Sequence, residues 1–423
     1  MKVLHLSAYD ISGGAARAAY RIHCGLRNLD IDSRMWVQYK LSKDPTVKAI
    51  YGNHKLGKLY SHLRPLFNKY LQRFQQSTNS VYHSANLLPS GLHRKINRSD
   101  IDIVHLHWIN SEMISISEII KIEKPVIWTL HDMWAFCGSE HYDDERNPGR
   151  YLEGYYSKNR PEDYQGLDVD KLVWRAKKKA WQDHANRLNF VVPSQWMAEC
   201  FKKSELFKDG SVSVIHNGLD LSVFRSHKPD NARDILGLPD NKKIILFGAM
   251  DATSNPIKGY EKLNEAIQCL KKEYEDLSNL LFVVVGNDTK MEEYDDGVHF
   301  RYMGTIQDNI TLSLIFSAAN LSVVPSRMEA FGQMASESLA CGTPVVAFNA
   351  TGLKDIIDHK KNGYLAEPYS SQQLADGIRW VLQNEGTGLR ENACEKSVSK
   401  FDIKDVSREY LNKYKSIVFS PEN

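Results

Sequence analysis

The chain has 423 residues, 42% of them hydrophobic and 25% charged, with a formal net charge of +2; it is too long for one hydrophobic core and is expected to form two globular domains. No apolar run approaches the roughly 18 residues that cross a bilayer, and Met1-Lys2 leads straight into the strand-like VLHLSAY rather than a signal-peptide core, so a cytoplasmic protein is expected. The 6 cysteines, at 24, 137, 200, 269, 341 and 394, form no close pair, which argues for reduced thiols and against a zinc site or a C-x-x-C redox motif.

The first strand, VLHLSAY (3 to 9), is followed by SGGAARA (12 to 18). Gly13 and Gly14 permit close backbone approach ahead of a helix that offers free N–H groups to an anion, although a tight turn alone would also use them. The G-x-G-x-x-G fingerprint is absent, which disfavours a dinucleotide cofactor. From Pro45 to Ser99 the chain carries nine basic residues, from Lys48 to Arg98, and no acidic one. Within this window Leu56, Leu59, Tyr60, Leu63, Leu66, Phe67, Tyr70, Leu71 and Phe74 recur at helical spacing around Pro65, which should kink or split the helix. Such a basic amphipathic element suits either a helix packed on its domain or contact with an anionic membrane surface. Nucleic acid is not expected, because the charge is local and no reader module is recognisable.

Next come the strand-like runs IDIVHLHW (101 to 108), PVIWTLHD (125 to 132) and NFVVPS (189 to 194). His131 and Asp132 stand at the carboxyl end of the second of these, where the imidazole could donate to a ligand oxygen or serve the scaffold. The segment 139 to 166, with His141, Asp143, Asp144 and Glu145, reads as a solvated or binding loop whose spacing matches no metal template. The polar stretch from Asn217 to Lys243 is assigned as the linker between domains. Beyond it KIILFGAM (243 to 250), LLFVVVGND (280 to 288), NLSVVPS (320 to 326) and TPVVAFN (343 to 349) alternate with helical patterns. Continuous apolar runs separated by helices predict parallel sheets covered on both faces, so both halves read as doubly wound α/β.

Open α/β sheets bind ligands outside the carboxyl ends of their strands. Lys258 and the turn Asn287-Asp288 follow two such ends; a third leads into SRMEAFGQMASESLACGTP, where a loop reaches Phe331-Gly332 and a helix runs to Ala340. Glu329 ahead of that helix gains roughly 0.3–1 kcal/mol from its dipole. Stability does not explain Glu337, about one and a half turns inside, or a glycine at the helix mouth. Two carboxylates with free amides between them can grip a polyhydroxylated anion such as a nucleoside-diphosphate sugar.

With GGA (13 to 15), WTLHD (128 to 132), VVPSQWM (191 to 197), VIHNGLD (214 to 220), Lys258-Gly259 and NGYL (362 to 365) in order along the chain, Glu329-x7-Glu337 resembles the E-x7-E element of glycosyltransferase family 4. WTLHDMWAF resembles the branch that builds bacterial surface polysaccharides such as O-antigens, capsule and colanic acid. The resemblance implies retaining enzymes of the GT-B fold, two Rossmann-like domains facing across a cleft. It suggests a division into residues 1–220 on the acceptor side, 221–400 on the donor side, and a final helical segment, 401–423, that returns to the N-terminal domain. It further implies a UDP- or GDP-sugar donor and a glycan or lipid-linked acceptor, with no cofactor and no metal.

Carried over residue by residue, the resemblance makes His131, Glu329 and Lys258 catalytic. It places Gly13, Gly14, Asp132, Ala330, Phe331, Gly332, Gln333 and Glu337 in substrate binding. Glu337 would hold the ribose hydroxyls, Glu329 the transferred sugar and Lys258 the diphosphate. Many relatives have an Arg ahead of the KG lysine where this chain has Gly248-Ala249-Met250, and Asp355 stands where they often show Glu. The missing Arg leaves open a non-catalytic sugar-nucleotide-binding subunit of an assembly complex. Epimerase or phosphorylase chemistry on the same fold is a further alternative. Peripheral association with the cytoplasmic face of the inner membrane is expected of a lipid-linked acceptor.

Overall fold

The computed structural model describes the chain except residues 53–54, 78, 209, 249–252, 274–276, 287–289, 296 and 420–423. It divides into two compact units, Met1–Gly218 with Lys404–Asn423, and Leu219–Ile403.

The first unit is built on seven strands in the order Val47–Ala49, Asp32–Tyr39, Lys2–Tyr9, Ile103–Leu106, Val126–Thr129, Leu188–Val192, Val212–Val214. Every neighbouring pair is parallel. The central strands read as unbroken apolar runs because helices cover both faces, and Leu4, Ile103, Val104 and Ile127 are fully enclosed. Chain order first runs outward from Lys2–Tyr9, then resumes on its other side with Ile103–Leu106. That reversal leaves a crevice beyond the carboxyl ends of these two strands.

The second unit repeats the design. Its order is Lys290–Asp295, Val298–Met303, Leu280–Val285, Lys243–Gly248, Leu321–Val324, Val345–Phe348, Gly363–Ala366, with Lys290–Asp295 antiparallel to its neighbour. Alternation along Lys243–Gly248 sends Ile244 and Leu246 into one apolar cluster and Ile245 and Phe247 into another, so the sheet is buried on both faces. Here the reversal falls between Lys243–Gly248 and Leu321–Val324. Both units are thus Rossmann-like, the α/β class expected.

Four expectations are corrected. The stretch from Asn217 to Lys243 is not a linker: Leu219, Phe224, Ala232 and Leu238 enter the core of the second unit, and helix Pro229–Leu236 is pinned by buried Arg233, which donates to Ala318 O and Asn320 Oδ1. Pro65 does not split its helix, which runs unbroken over Lys55–Arg73. The carbonyl that Pro65 leaves without an N–H partner is that of Ser61, and it accepts instead from Tyr39 OH at 2.9 Å and Gln38 Nε2 at 3.2 Å.

That helix is also inverted. It buries Ser61, Arg64 and Asn68 and exposes Leu59, Leu63, Phe67 and Tyr70. Arg64 donates to Glu112 O, Pro89 O and Leu88 O, and Asn68 bonds His83 O and Ala85 N.

Finally, residues 139 to 166 are anchored by a buried set of side chains, while Leu152, Glu153, Lys158 and Glu162 stay exposed. Glu140, His141, Asp143, Arg150, Tyr155 and Tyr164 are buried in a charged network: Arg150 pairs with Asp168 at 2.9 Å, and Tyr155 donates to Glu140. Pairing offsets the cost of burying Arg150 and Asp168, whereas burial, with Asp170 beside it, pushes the Glu140 carboxyl well up, and burial pushes Asp143 up to about 7. The last helix, Ile403–Val418, belongs with the first unit through Tyr410, bonded to Thr129, and Tyr414, bonded to His105.

Candidate active site

In the second unit three loops meet beyond the strand reversal. Asn255 caps the short turn Pro256–Lys258, and Gly259, at φ +71°, turns the chain into helix Tyr260–Glu273. Only glycine fits there, because a Cβ would lie 2.0 Å from Pro325 O. Arg327 N donates to Ile257 O at 2.8 Å, and Gly352 N donates to Glu329 O at 2.9 Å, stitching the three loops together. The result is specific: Lys258 Nζ lies 2.6 Å from Glu329 Oε1, which also accepts from Ser326 Oγ at 3.0 Å. Both charged side chains are partly enclosed, at 26% and 16% exposure, so each remains reachable from the crevice.

The helix mouth follows. Gly332, at φ +105°, opens helix Gln333–Ala340, and its missing Cβ makes room for Leu353 at 2.7 Å. Ala330 and Phe331 are buried, Phe331 edge-on to Phe401 at 5.5 Å, so this pair anchors the loop with its side chains and leaves only backbone for a ligand. Glu337 is 6% exposed, and its neighbour Ser338 clamps the helix to the sheet through Ser322 Oγ at 2.8 Å. Asp355 lies in the turn of helix Leu353–Ile356. The second cation of the Glu329 loop, Arg327, pairs with Glu261 at 3.0 Å. Ala249 and Met250, where the family arginine is missing, lie outside the described residues, as do Asn287 and Asp288.

In the first unit the strand reversal carries a column of imidazoles. His131 Nε2 lies 3.1 Å from His107 Nδ1, and His107 Nε2 lies 2.9 Å from His5 Nδ1. Burial holds His5 and His107 well below the ordinary imidazole range and brings His131 down to about 4, so all three are neutral. Beside them burial pushes the Asp132 carboxyl up, but the facing His141, at 2.6 Å, outweighs it and keeps the group ionised below its usual pKa. Trp108 Nε1 also donates to Asp132, at 2.9 Å. Asp132 is therefore spoken for by its own unit. Gly13, at φ +87°, caps helix Gly14–Arg27, whose first residue is exposed.

Sequence reasoning missed Ser326, His5, His107 and Trp108. The alternation His105-Leu106-His107 in a strand otherwise apolar was the available signal, since a parallel central strand has no reason to carry two imidazoles. Close groupings of potential metal ligands occur among the described residues at His5, His105 and His107 and at His83, Glu140 and Asp170. In the first, both ring nitrogens of His105 are taken, by Thr129 and Tyr414 at 2.7 Å each.

Family models place this architecture. Residues 12–223 match the model described as Glycosyltransferase Family 4, and residues 229–399 match Glycosyl transferases group 1. The chain belongs to glycosyltransferase family 4. Among curated relatives of this family-4 chain, an uncharacterized glycosyltransferase of Methanocaldococcus jannaschii is 30% identical over 49% of the chain and 54% of its own length. A D-inositol 3-phosphate glycosyltransferase of Mycolicibacterium smegmatis is 30% identical over 50% of the chain and 49% of its own. The chain thus spans about half the length of the curated relatives it matches.

Among solved structures, sucrose-phosphate synthase from Thermosynechococcus elongatus superposes with a TM-score of 0.68 at 18% identity, covering 99% of this chain and 100% of that one. Anabaena HepE in complex with UDP-glucose gives 0.63 at 17% identity, covering 98% and 100%. WaaG, a glycosyltransferase involved in lipopolysaccharide biosynthesis, gives 0.56 at 16%, covering 98% and 99%. These likenesses establish the GT-B fold.

Proposed function

We propose that this chain is a retaining glycosyltransferase that moves a sugar from a nucleoside-diphosphate sugar to a lipid-linked glycan acceptor in bacterial surface-polysaccharide biosynthesis. The observation that carries the reading is the triad of Lys258, Glu329 and Ser326 at the strand reversal of the second unit, beside a helix N-terminus. A cation, a hydroxyl-accepting carboxylate and the amides of a helix N-terminus are what a diphosphate flanked by two polyols requires.

In this reading a donor's diphosphate takes over the Lys258 ammonium, freeing Glu329 to accept from hydroxyls of the transferred sugar. Glu337 accepts from the ribose, and the amides of Gly332 and Gln333 meet phosphate oxygens. The glycosidic bond breaks toward an oxocarbenium ion and a diphosphate leaving group, so cations at the phosphate lower the barrier directly. Lys258 and the helix amides supply that charge, and the reading calls for no metal or organic cofactor. The family resemblance assigns His131 to the transferred sugar and the amides after Gly13 to the diphosphate. HepE binds UDP-glucose, which supports a uridine donor.

The inverted helix Lys55–Arg73 supports peripheral contact with the cytoplasmic face of a membrane. Its solvent side carries Leu63, Phe67 and Tyr70 together with Lys69 and Arg73, a combination that gains from apolar insertion and from acidic headgroups. No helix among the described residues is long and apolar enough to cross a bilayer.

The test is a transfer assay. The protein is incubated with UDP-glucose or GDP-mannose and either a bacterial lipid extract or inositol 3-phosphate, and products are read by mass spectrometry. The reading expects a glycosylated lipid with α-donor configuration retained, and a fall of about 100- to 1,000-fold in Lys258→Ala. Transfer to inositol phosphate alone would move the acceptor class. Absence of any acceptor-dependent donor consumption would sink the transferase reading.

A further inference from the structure

We infer that His5 and His107 are positioning residues that lock His131 in the tautomer carrying its proton on Nδ1, presenting that N–H to a ligand oxygen. The inference follows from proton counting along the column. Three neutral rings linked by two hydrogen bonds carry one N–H each, so the two bonds must run in the same direction. Either every ring donates toward His131 or every ring donates toward His5.

The buried end decides between them. His5 is fully enclosed, and its Nε2 has no hydrogen-bond partner. If the column pointed inward, His5 Nε2 would carry a proton with no acceptor in a dry interior. Pointed outward, the same atom keeps only an unshared lone pair, and orphaned buried N–H groups are the rarer of the two. His5 Nδ1 then donates to His107 Nε2, His107 Nδ1 donates to His131 Nε2, and the remaining proton sits on His131 Nδ1. That atom bonds to no other described residue, and His131 is partly exposed.

The neighbouring groups leave this direction undisturbed. His105 lies against His107, its ring tilted by 36° with centroids 3.9 Å apart, but spends both nitrogens on Thr129 and Tyr414. His23, edge-on to His5 at 5.7 Å, spends both of its nitrogens on Ser33 and Thr46. Asp132 is bonded to His141 and Trp108. The low pKa of each ring keeps the column uncharged near neutral pH.

The functional value of this lock rests on the reading that His131 meets the donor sugar, but the tautomer is measured without ligand and the transfer assay tests that reading separately. The full chain is labelled with 15N-histidine, and long-range 1H–15N correlations at pH 7 are assigned to His131 by their loss in His131→Asn. The expected pattern is a protonated, pyrrole-type Nδ1 and a bare, pyridine-type Nε2. In His107→Phe the pattern shifts toward the Nε2–H form, whereas His107→Asn, whose amide can still donate to His131 Nε2, retains Nδ1–H. Should either variant fail to fold, the wild-type spectrum and His5→Phe still decide. A pyridine-type Nδ1 in the wild type overturns the inference, as does a His131 tautomer indifferent to loss of His107 or His5.

Discussion

Gly259→Ala adds one methyl group where the structure has no room for it. Two costs can be separated. The residue sits at φ +71°, a left-handed conformation that costs a side-chain-bearing residue about 1–2 kcal/mol. The new Cβ would also lie 2.0 Å from Pro325 O and 2.9 Å from Pro325 C, backbone atoms that cannot swing aside, and such overpacking adds about 1–3 kcal/mol. Gly237→Ala isolates the first cost, since Gly237 has φ +62° and a methyl group there would meet nothing within 4 Å. Both glycines lie in the unit Leu219–Ile403. In a unit of this size each kcal/mol moves the midpoint by about 2–4 °C, so a difference of about 2 kcal/mol should separate the variants by about 4–8 °C. Differential scanning calorimetry reads this directly, and Gly259→Ala should also lose nucleotide binding because Pro325 and Lys258 flank the strained turn. Equal midpoints, with Gly259→Ala still binding nucleotide as Gly237→Ala does, would refute the claim that this close approach positions Lys258.

Two further outcomes are expected. Leu63→Asp with Phe67→Asp should abolish sedimentation with vesicles containing phosphatidylglycerol while leaving the thermal midpoint unchanged, because both side chains already face solvent; an unchanged vesicle-bound fraction would remove the membrane reading. Burial lowers His23 from 6.5 to about 4, so its stabilising contribution is complete above pH 6.5 and is lost as pH falls through about 4. That depression corresponds to about 3 kcal/mol, which urea titrations at pH 7, 5 and 4 should show, with a flatter profile in His23→Gln.

Much of this fold was legible because parallel strands buried on both faces leave unmistakable apolar runs. LLFVVV and KIILFG are such runs, and each is a strand. Strands at or near an edge were missed for the complementary reason: Asp32–Tyr39 alternates buried and half-exposed positions, and Lys290–Asp295 is mostly polar. The segment after Asn217 looked like a linker because its four core residues are diluted by charge, and dilution hides which side chains are buried. Helix Lys55–Arg73 teaches a sharper lesson. Periodicity shows that a helix has two faces, but which face is buried depends on partners elsewhere, here the carbonyls of Leu88, Pro89 and Glu112 that receive Arg64. Spacing and resemblance singled out Lys258 and Glu329, and the fold of the second unit brings their side chains to 2.6 Å. The histidine column was not legible, because His5, His107 and His131 are 102 and 24 positions apart and meet only when three parallel strands align.

The central claim is that Lys258 and Glu337 bind the nucleoside diphosphate of the donor. The most direct measurement is a thermal-shift series with UDP, GDP, ADP, CMP and NAD on the wild type and on Glu337→Ala. A ligand at 100 times its dissociation constant stabilises by about 2.7 kcal/mol. The account predicts that one nucleoside diphosphate stabilises the wild type and loses its effect in Glu337→Ala. No shift with any of them, or an equal shift in the variant, would contradict it.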